Sequence, residues 1–131
     1  ALFGFTYAAL KFSINLPRPF CSLSSTEFST IVDIANERCL SSFPSAHTGL
    51  SIIIAYYLWP HLKKYQQIIM LLLIPTVAVS RITLAMHYPA DIIYSAIIAG
   101  ILIFSSNKLV YSLQNQVVQP IGNFIFRRVF R

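Results

Sequence analysis

Residues 45–106 hold three apolar runs in close succession, and this succession limits what the chain can fold into. The runs are SAHTGLSIIIAYYLW (45–59, extending as far as Leu62), IIMLLLIPTVAVSRITLAM (68–86) and ADIIYSAIIAGILIFSS (90–106). Only a short basic turn, PHLKKYQQ (60–67), and an HYP break separate them. A helix that crosses a bilayer needs about 20 apolar residues, and the first and third runs lie near the short end of that range. Any one of them alone would also suit the core helix of a soluble protein. Three in series with short polar turns point instead to a membrane bundle. Composition agrees, with 56% hydrophobic and 11% charged residues, where an ordinary soluble domain carries about a quarter charged. Mean hydropathy is +0.65. The expected fold class is therefore all-α, a polytopic transmembrane helical bundle in which residues 1–131 form a single domain.

The flanks read differently. ALFGFTYAAL at the start is too short to span and lacks the basic beginning and cleavage pattern of a signal peptide. We expect residues 1–16 to be the end of a helix, with an earlier part of the bundle preceding residue 1. Pro17 and Pro19 break that helix, since proline lacks an N–H and fixes φ. Residues 20–44 are a polar loop rich in Ser and Thr, with a short helix around STIVDIANERC (29–39). Pro75 marks a kink in the second run. In the tail, 107–131, Leu109, Val110, Leu113 and Val117 share a helical face before Pro120, and NFIFRRVFR mixes aromatics with arginines. This tail is either an amphipathic segment on the membrane surface or a loosely ordered basic end.

The net charge of +6 does not point to nucleic acid, because the basic residues are scattered between apolar runs with no basic-aromatic patch. Topology accounts for them. If the spans alternate, one face holds Lys63, Lys64, Lys108, Arg127, Arg128 and Arg131. The other holds Lys11, Arg18, Arg38 and Arg81, with the acids Glu27, Asp33, Glu37 and Asp91. The positive-inside rule assigns the first face to the cytoplasm, so the second faces outward. Cys21 and Cys39 both lie in the outward loop, as a disulfide or as two free thiols. No nearby CxxC or histidine pair completes a metal site with them. Tyr56, Tyr57 and Trp59 fit an interfacial belt, His61 an exposed turn, and Ser80 helix packing.

The outward ends of the runs carry the chemistry. Ser45, in PSAH (44–47), stands where a helix N-cap belongs, before a long apolar run. The N–H groups of Ala46 and His47 would then be open, and such a helix start attracts an anion. In SRITLAMHYPADI (80–92), Tyr88 precedes Pro89 and is biased away from helix, while Pro89 suits a first helical turn. His87 then lies just outside the helix and Asp91 within its first turn. A carboxylate there can accept a hydrogen bond from the imidazole and fix its tautomer, which makes the histidine a nucleophile or base. Taken alone, such a pair is more often structural. Lys11, Arg18 and Arg81 lie at helix ends on the same face. Singly each is a snorkelling anchor; together, beside a helix N-terminus, they form a pocket for phosphate.

These segments, K-x6-RP (Lys11, Arg18, Pro19), PSAH (44–47) and SR-x5-H-x3-D (Ser80, Arg81, His87, Asp91), resemble the three signature motifs of the type-2 phosphatidic acid phosphatase family, whose superfamily includes vanadium-dependent haloperoxidases. Order and spacing match from residue 11 to residue 91. Ala46 replaces the glycine of the commonest middle motif, PSGH, but remains small and keeps its N–H. The resemblance implies a six-helix membrane fold of which this chain is the C-terminal part. It implies that His87 attacks phosphorus, that Asp91 orients His87, and that His47 protonates the leaving oxygen and later activates water. Lys11, Arg18, Arg81, Ser45 and the Ala46 amide would hold the phosphoryl oxygens. Neither metal nor cofactor is implied.

A site at a helix mouth suits a lipid phosphate whose chain stays in the bilayer, which makes the expected partners a lipid phosphate substrate and membrane lipids. The oligomeric state stays open. Candidate substrates include phosphatidic acid, phosphatidylglycerol phosphate, undecaprenyl pyrophosphate and lipid A phosphate. The loop 20–44, with Phe20, Phe28 and Phe43, is a candidate cover. The expected location is the bacterial inner membrane, with the site facing the periplasm. Two other functions fit the same residues: a lipid phosphotransferase, and a non-catalytic anion- or lipid-binding membrane protein.

Overall fold

The computed structural model describes residues 2–23 and 38–119, which form helices joined by turns. Helix α1 is Leu2–Ile14, α2 Pro19–Ser22, α3 Ala46–Leu58, α4 Lys64–Thr83 and α5 Pro89–Leu113. There is no β-strand among the described residues; one isolated antiparallel bridge pairs Pro17 with Leu40. The all-α class is as expected. Residues 1–100 form one compact unit and residues 101–131 another. Every motif position lies in the first.

Local chemistry sets the helix ends. α1 stops at Asn15, which takes the left-handed conformation (φ 43°) that asparagine tolerates better than most residues. The segment after it is stitched to 39–42. Arg18 N donates to Cys39 O at 2.8 Å, and the amides of Ser41 and Ser42 both donate to Leu16 O at 3.0 Å. A Cys21–Cys39 disulfide with a Cα–Cα distance of 5.7 Å joins the same two strips of chain. Pro19 does not simply break structure here. It occupies the first turn of α2, where its missing N–H has no helical partner to lose.

The expected first span, 45–59, is shorter than a crossing. α3 has 13 residues, about 20 Å at 1.5 Å per residue, against a hydrocarbon core of about 30 Å. A 3-10 turn, Trp59–His61, succeeds it and contains Pro60. α4 begins earlier than expected, inside the basic turn, because Gln66 Oε1 accepts the Lys63 N–H at 2.8 Å and caps the start. It continues through Pro75.

α4 also ends earlier, at Thr83. Ala85 N donates to Ile82 O at 2.9 Å and Met86 N to Arg81 O at 3.1 Å, the paired bonds of a Schellman turn. Ala85 occupies its left-handed position, with φ 51°. α5 runs past the expected end at 106 to Leu113, followed by a π turn, Gln114–Val118. Residues 101–113 contain neither proline nor glycine, so no strong helix breaker stops it. The expected tail therefore begins as helix. Residues 120–131 and the proposed helix at 29–39, apart from Arg38 and Cys39, lie outside the described residues.

Two helices, Lys64–Thr83 and Pro89–Val118, are long and apolar enough to cross a membrane. α4 buries no residue, and α1 buries only Tyr7. Phe5, Phe12 and Leu72 are 76%, 71% and 64% exposed, a surface suited to lipid or to other helices rather than to water. The buried apolar cluster is small: Phe20, Ala85 and Met86, with Leu84 packed against it. Phe20 N donates to Ala85 O at 3.2 Å, which fastens α2 to the turn after α4. That turn leads directly to His87.

Candidate active site

His87 sits in the short link between α4 and α5, held from both sides. Its amide donates to Arg81 O at 3.2 Å, so one carbonyl ties Arg81 to the histidine six residues on. On the other side Asp91, in the first turn of α5, reaches back. Tyr88 N donates to Asp91 Oδ2 at 2.9 Å, and Asp91 N donates to Tyr88 O at 3.0 Å. This reciprocal arrangement satisfies two groups at a helix start. Ser42 Oγ also donates to Asp91 Oδ2. His87 and Asp91 are each 3% exposed.

The expected hydrogen bond between His87 and Asp91 is not closed. His87 Nδ1 lies 3.6 Å from Asp91 Oδ2, beyond hydrogen-bond range. The physical reason is that this oxygen already accepts from Ser42 and from Tyr88 N. His87 Nδ1 is buried with no hydrogen-bond partner among the described residues, as is Arg81 Nε. Buried donors without partners are rare in folded proteins, and these two belong to the third motif.

The middle motif forms the start of α3. Ser45 takes extended backbone angles (φ −72°, ψ 96°) at the N-cap position, yet its side chain makes no capping hydrogen bond. Its Oγ instead lies 3.1 Å from Thr48 Oγ1. The first amides of α3 are therefore not closed off by Ser45, and a helix start left this way favours an anion. Ser45 is buried, Ala46 half-buried and His47 exposed. His47 is thus open to solvent, whereas His87 is not.

Residues from all three motifs meet around His47. Partial burial, and after it the charges of Arg81, His87, Lys11 and Arg18, push the His47 imidazole below its ordinary pKa. Lys11 Nζ donates to Ser41 O at 3.1 Å and lines a cleft with Asn15, Arg38 and Ser41. Arg18 Nη1 donates to Met86 Sδ at 2.9 Å, beside His87 in sequence. The structure thus brings Lys11, Arg18, His47, Arg81 and His87 into one neighbourhood, and sets Asp91 against His87. Ser45 and Ala46 adjoin His47 in the chain, and the bonded Cys21 and Cys39 flank the strips that carry Arg18 and Ser42. Among the described residues, no group of three or more His, Cys, Asp or Glu side chains is placed to hold a metal ion.

Sequence reasoning missed several polar residues at this site. Ser42, fully buried, is one of several serines in a serine-rich loop, and nothing in the sequence separates it from its neighbours. Ser95 did leave a signal. Asp91, Ser95 and Ala99 recur every four residues and are all buried, which is one face of a helix. Tyr88 is also fastened from outside, with its hydroxyl 2.6 Å from Ser22 Oγ.

The chain matches the family model of the PAP2 superfamily over residues 1–115. No curated protein and no solved structure matched it. The match covers α1 to the end of α5 and contains every motif residue named above. The chain therefore belongs to the PAP2 superfamily, and that membership supports a phosphatase-type activity.

Proposed function

We propose that this protein is an integral-membrane lipid phosphate phosphatase that works through a phosphohistidine on His87. The observation that carries this reading is the family match over residues 1–115, with Lys11 and Arg18 from the first motif and Arg81 and His87 from the third close enough to His47 to act on its charge. A neutral metabolite has no use for three cations and an open helix start, whereas a phosphoryl group does.

The chemistry runs as follows. His87 Nδ1 faces Asp91, which leaves Nε2 as the attacking nitrogen. It forms a bond to phosphorus as the ester or anhydride P–O bond breaks. Asp91 stabilises the positive charge that develops on the ring. His47, exposed to solvent, gives its proton to the leaving oxygen. Water then attacks phosphorus, His47 takes a proton from it, and the P–N bond breaks to free phosphate and His87. Lys11, Arg18, Arg81, Ser45 and the Ala46 amide bind the equatorial oxygens more strongly as their charge grows, which lowers the barrier.

The exposed apolar surfaces of α4 and α5 support a substrate whose chain remains in lipid. The sequence asymmetry in Lys and Arg supports an outward-facing site, on the periplasmic side of a bacterial inner membrane. The test uses intact purified protein and a panel of lipid phosphates and pyrophosphates, with free phosphate as readout. Wild type should release phosphate from at least one of them, and His87→Ala should not. Equal release by both would defeat the assignment of His87.

A further inference from the structure

Behind the proposed phosphate cradle lies a set of buried hydroxyls that no motif includes. We propose that Tyr7, Ser95 and Thr48 are positioning residues that hold Ser45, and through it the start of α3, in the geometry that receives the phosphoryl group. The inference rests on the phosphatase reading of that site and adds residues from α1 and α5 to it.

The contacts converge on one residue. Ser95 Oγ donates to Ser45 O at 2.6 Å. Tyr7 Oη lies 2.8 Å from Ser95 O and 2.9 Å from Ser95 Oγ. Thr48 Oγ1 lies 3.1 Å from Ser45 Oγ. Ser45 and Ser95 are fully buried, and Tyr7 and Thr48 are each 2% exposed. Ser45 O also accepts the Gly49 N–H at 3.1 Å, so both of its lone pairs are used.

Counting protons orders the network. Ser95 spends its single hydroxyl proton on Ser45 O. Tyr7 must then be the donor toward Ser95, either to its carbonyl or to its hydroxyl oxygen. If Thr48 donates to Ser45 Oγ, the Ser45 hydroxyl proton is left for a phosphoryl oxygen. Both oxygens of Ser45 are thereby engaged by buried hydroxyls.

Space has been made for this. A Cβ on Gly49 would overlap the Tyr7 hydroxyl, approach Tyr7 Cζ to 2.5 Å and approach Ser95 Oγ to 3.0 Å. The absent side chain lets the α1 tyrosine reach across to α5 beneath the start of α3. Packing alone would not require hydroxyls here: Phe, Ala and Val would fill the same volumes without polar atoms to satisfy. What the hydroxyls add is direction, and each path ends on Ser45.

The experiment measures vanadate binding to intact protein by vanadium NMR, together with kcat and KM for phosphate release and the thermal midpoint. The variants are Tyr7→Phe, Ser95→Ala, Thr48→Val and Thr48→Ser. Ser95→Ala and Thr48→Val should each weaken vanadate binding and lower kcat/KM by about tenfold, the order of one hydrogen bond. Tyr7→Phe should act in the same direction by about threefold, being one bond further away. Thr48→Ser should restore wild-type binding. Tyr7→Phe combined with Ser95→Ala should be no worse than Ser95→Ala alone, because the two act in series.

Wild-type vanadate affinity in Ser95→Ala and Thr48→Val would overturn the proposal. So would a lowered thermal midpoint with vanadate affinity unchanged, which would give the hydroxyls a role in stability alone. Wild-type protein that binds vanadate but hydrolyses nothing would defeat the phosphatase reading and leave the positioning test intact. Wild-type protein that binds no vanadate would defeat both.

Discussion

Replacing Gly49 with alanine tests how closely α1 is lodged against α3. In an open helix this change stabilises by about 1 kcal/mol, through propensity. Here the new Cβ would overlap the Tyr7 hydroxyl and lie 2.5 Å from Tyr7 Cζ, with Ser95 Oγ at 3.0 Å. The obstacle is a buried aromatic ring rather than the end of a flexible chain, so α1 itself must shift. Overpacking of this kind costs about 1–3 kcal/mol. Displacing Tyr7 also breaks its bond to Ser95 and leaves buried groups unpaired, for about 1–3 kcal/mol more. Net of the propensity gain, Gly49→Ala should destabilise by about 3 kcal/mol, a fall in thermal midpoint on the order of 10 °C. The assay is thermal unfolding of intact protein in detergent micelles. Tyr7→Phe in the same background should recover only part of the loss, since it removes the overlapping oxygen and leaves the ring. A Gly49→Ala protein as stable as wild type, or more so, would refute the close approach.

Other perturbations separate the parts of the site. Ser42→Ala removes one of the two donors on Asp91 Oδ2 and should lower phosphate release by about tenfold; an unchanged rate would show that Ser42 does not position Asp91. Ala85→Val forces a β-branched residue into a buried position with φ 51° and should cost about 2 kcal/mol in an unfolding titration, while Ala85→Gly stays within about 1 kcal/mol of wild type. Cys21→Ser with Cys39→Ser opens a link across a separation of 18 residues and should cost about 3 kcal/mol. Reductant should reproduce that loss in wild type, and equal midpoints with and without it would contradict a stabilising disulfide.

The helix starts that carry the candidate site were legible in the sequence, because spacing at a helix end has fixed meaning. Ser45 before an apolar run marked the start of α3, and Pro89 after His87 marked the start of α5. Four-residue spacing then set Asp91 against His87. What the sequence hid was competition for partners. The Asp91 oxygen expected to bind His87 is taken by Ser42 and by the Tyr88 amide, and Ser42 comes from a loop 49 residues away. Tyr7 and Ser95 are 88 residues apart. No local period can announce such a pair.

The helix lengths teach a similar lesson. Apolar runs gave the existence of α3, α4 and α5, but not their ends. α3 is short because its polar N-cap lies just 15 residues before Pro60. α4 stops at a Schellman turn built on Ala85, a residue that does not advertise a left-handed conformation as glycine would. α5 passes residue 106 because polarity alone does not end a helix.

The central claim is that three separate stretches of chain enclose one phosphoryl group. A structure of the intact protein bound to vanadate tests it most directly. Vanadium should be bonded to His87 on the side of the ring away from Asp91, with its oxygens held by Arg81 and by the amides at the start of α3, and with His47 at the position of the leaving group. Vanadate bound elsewhere, or His47 and His87 turned to different surfaces in that complex, would contradict it.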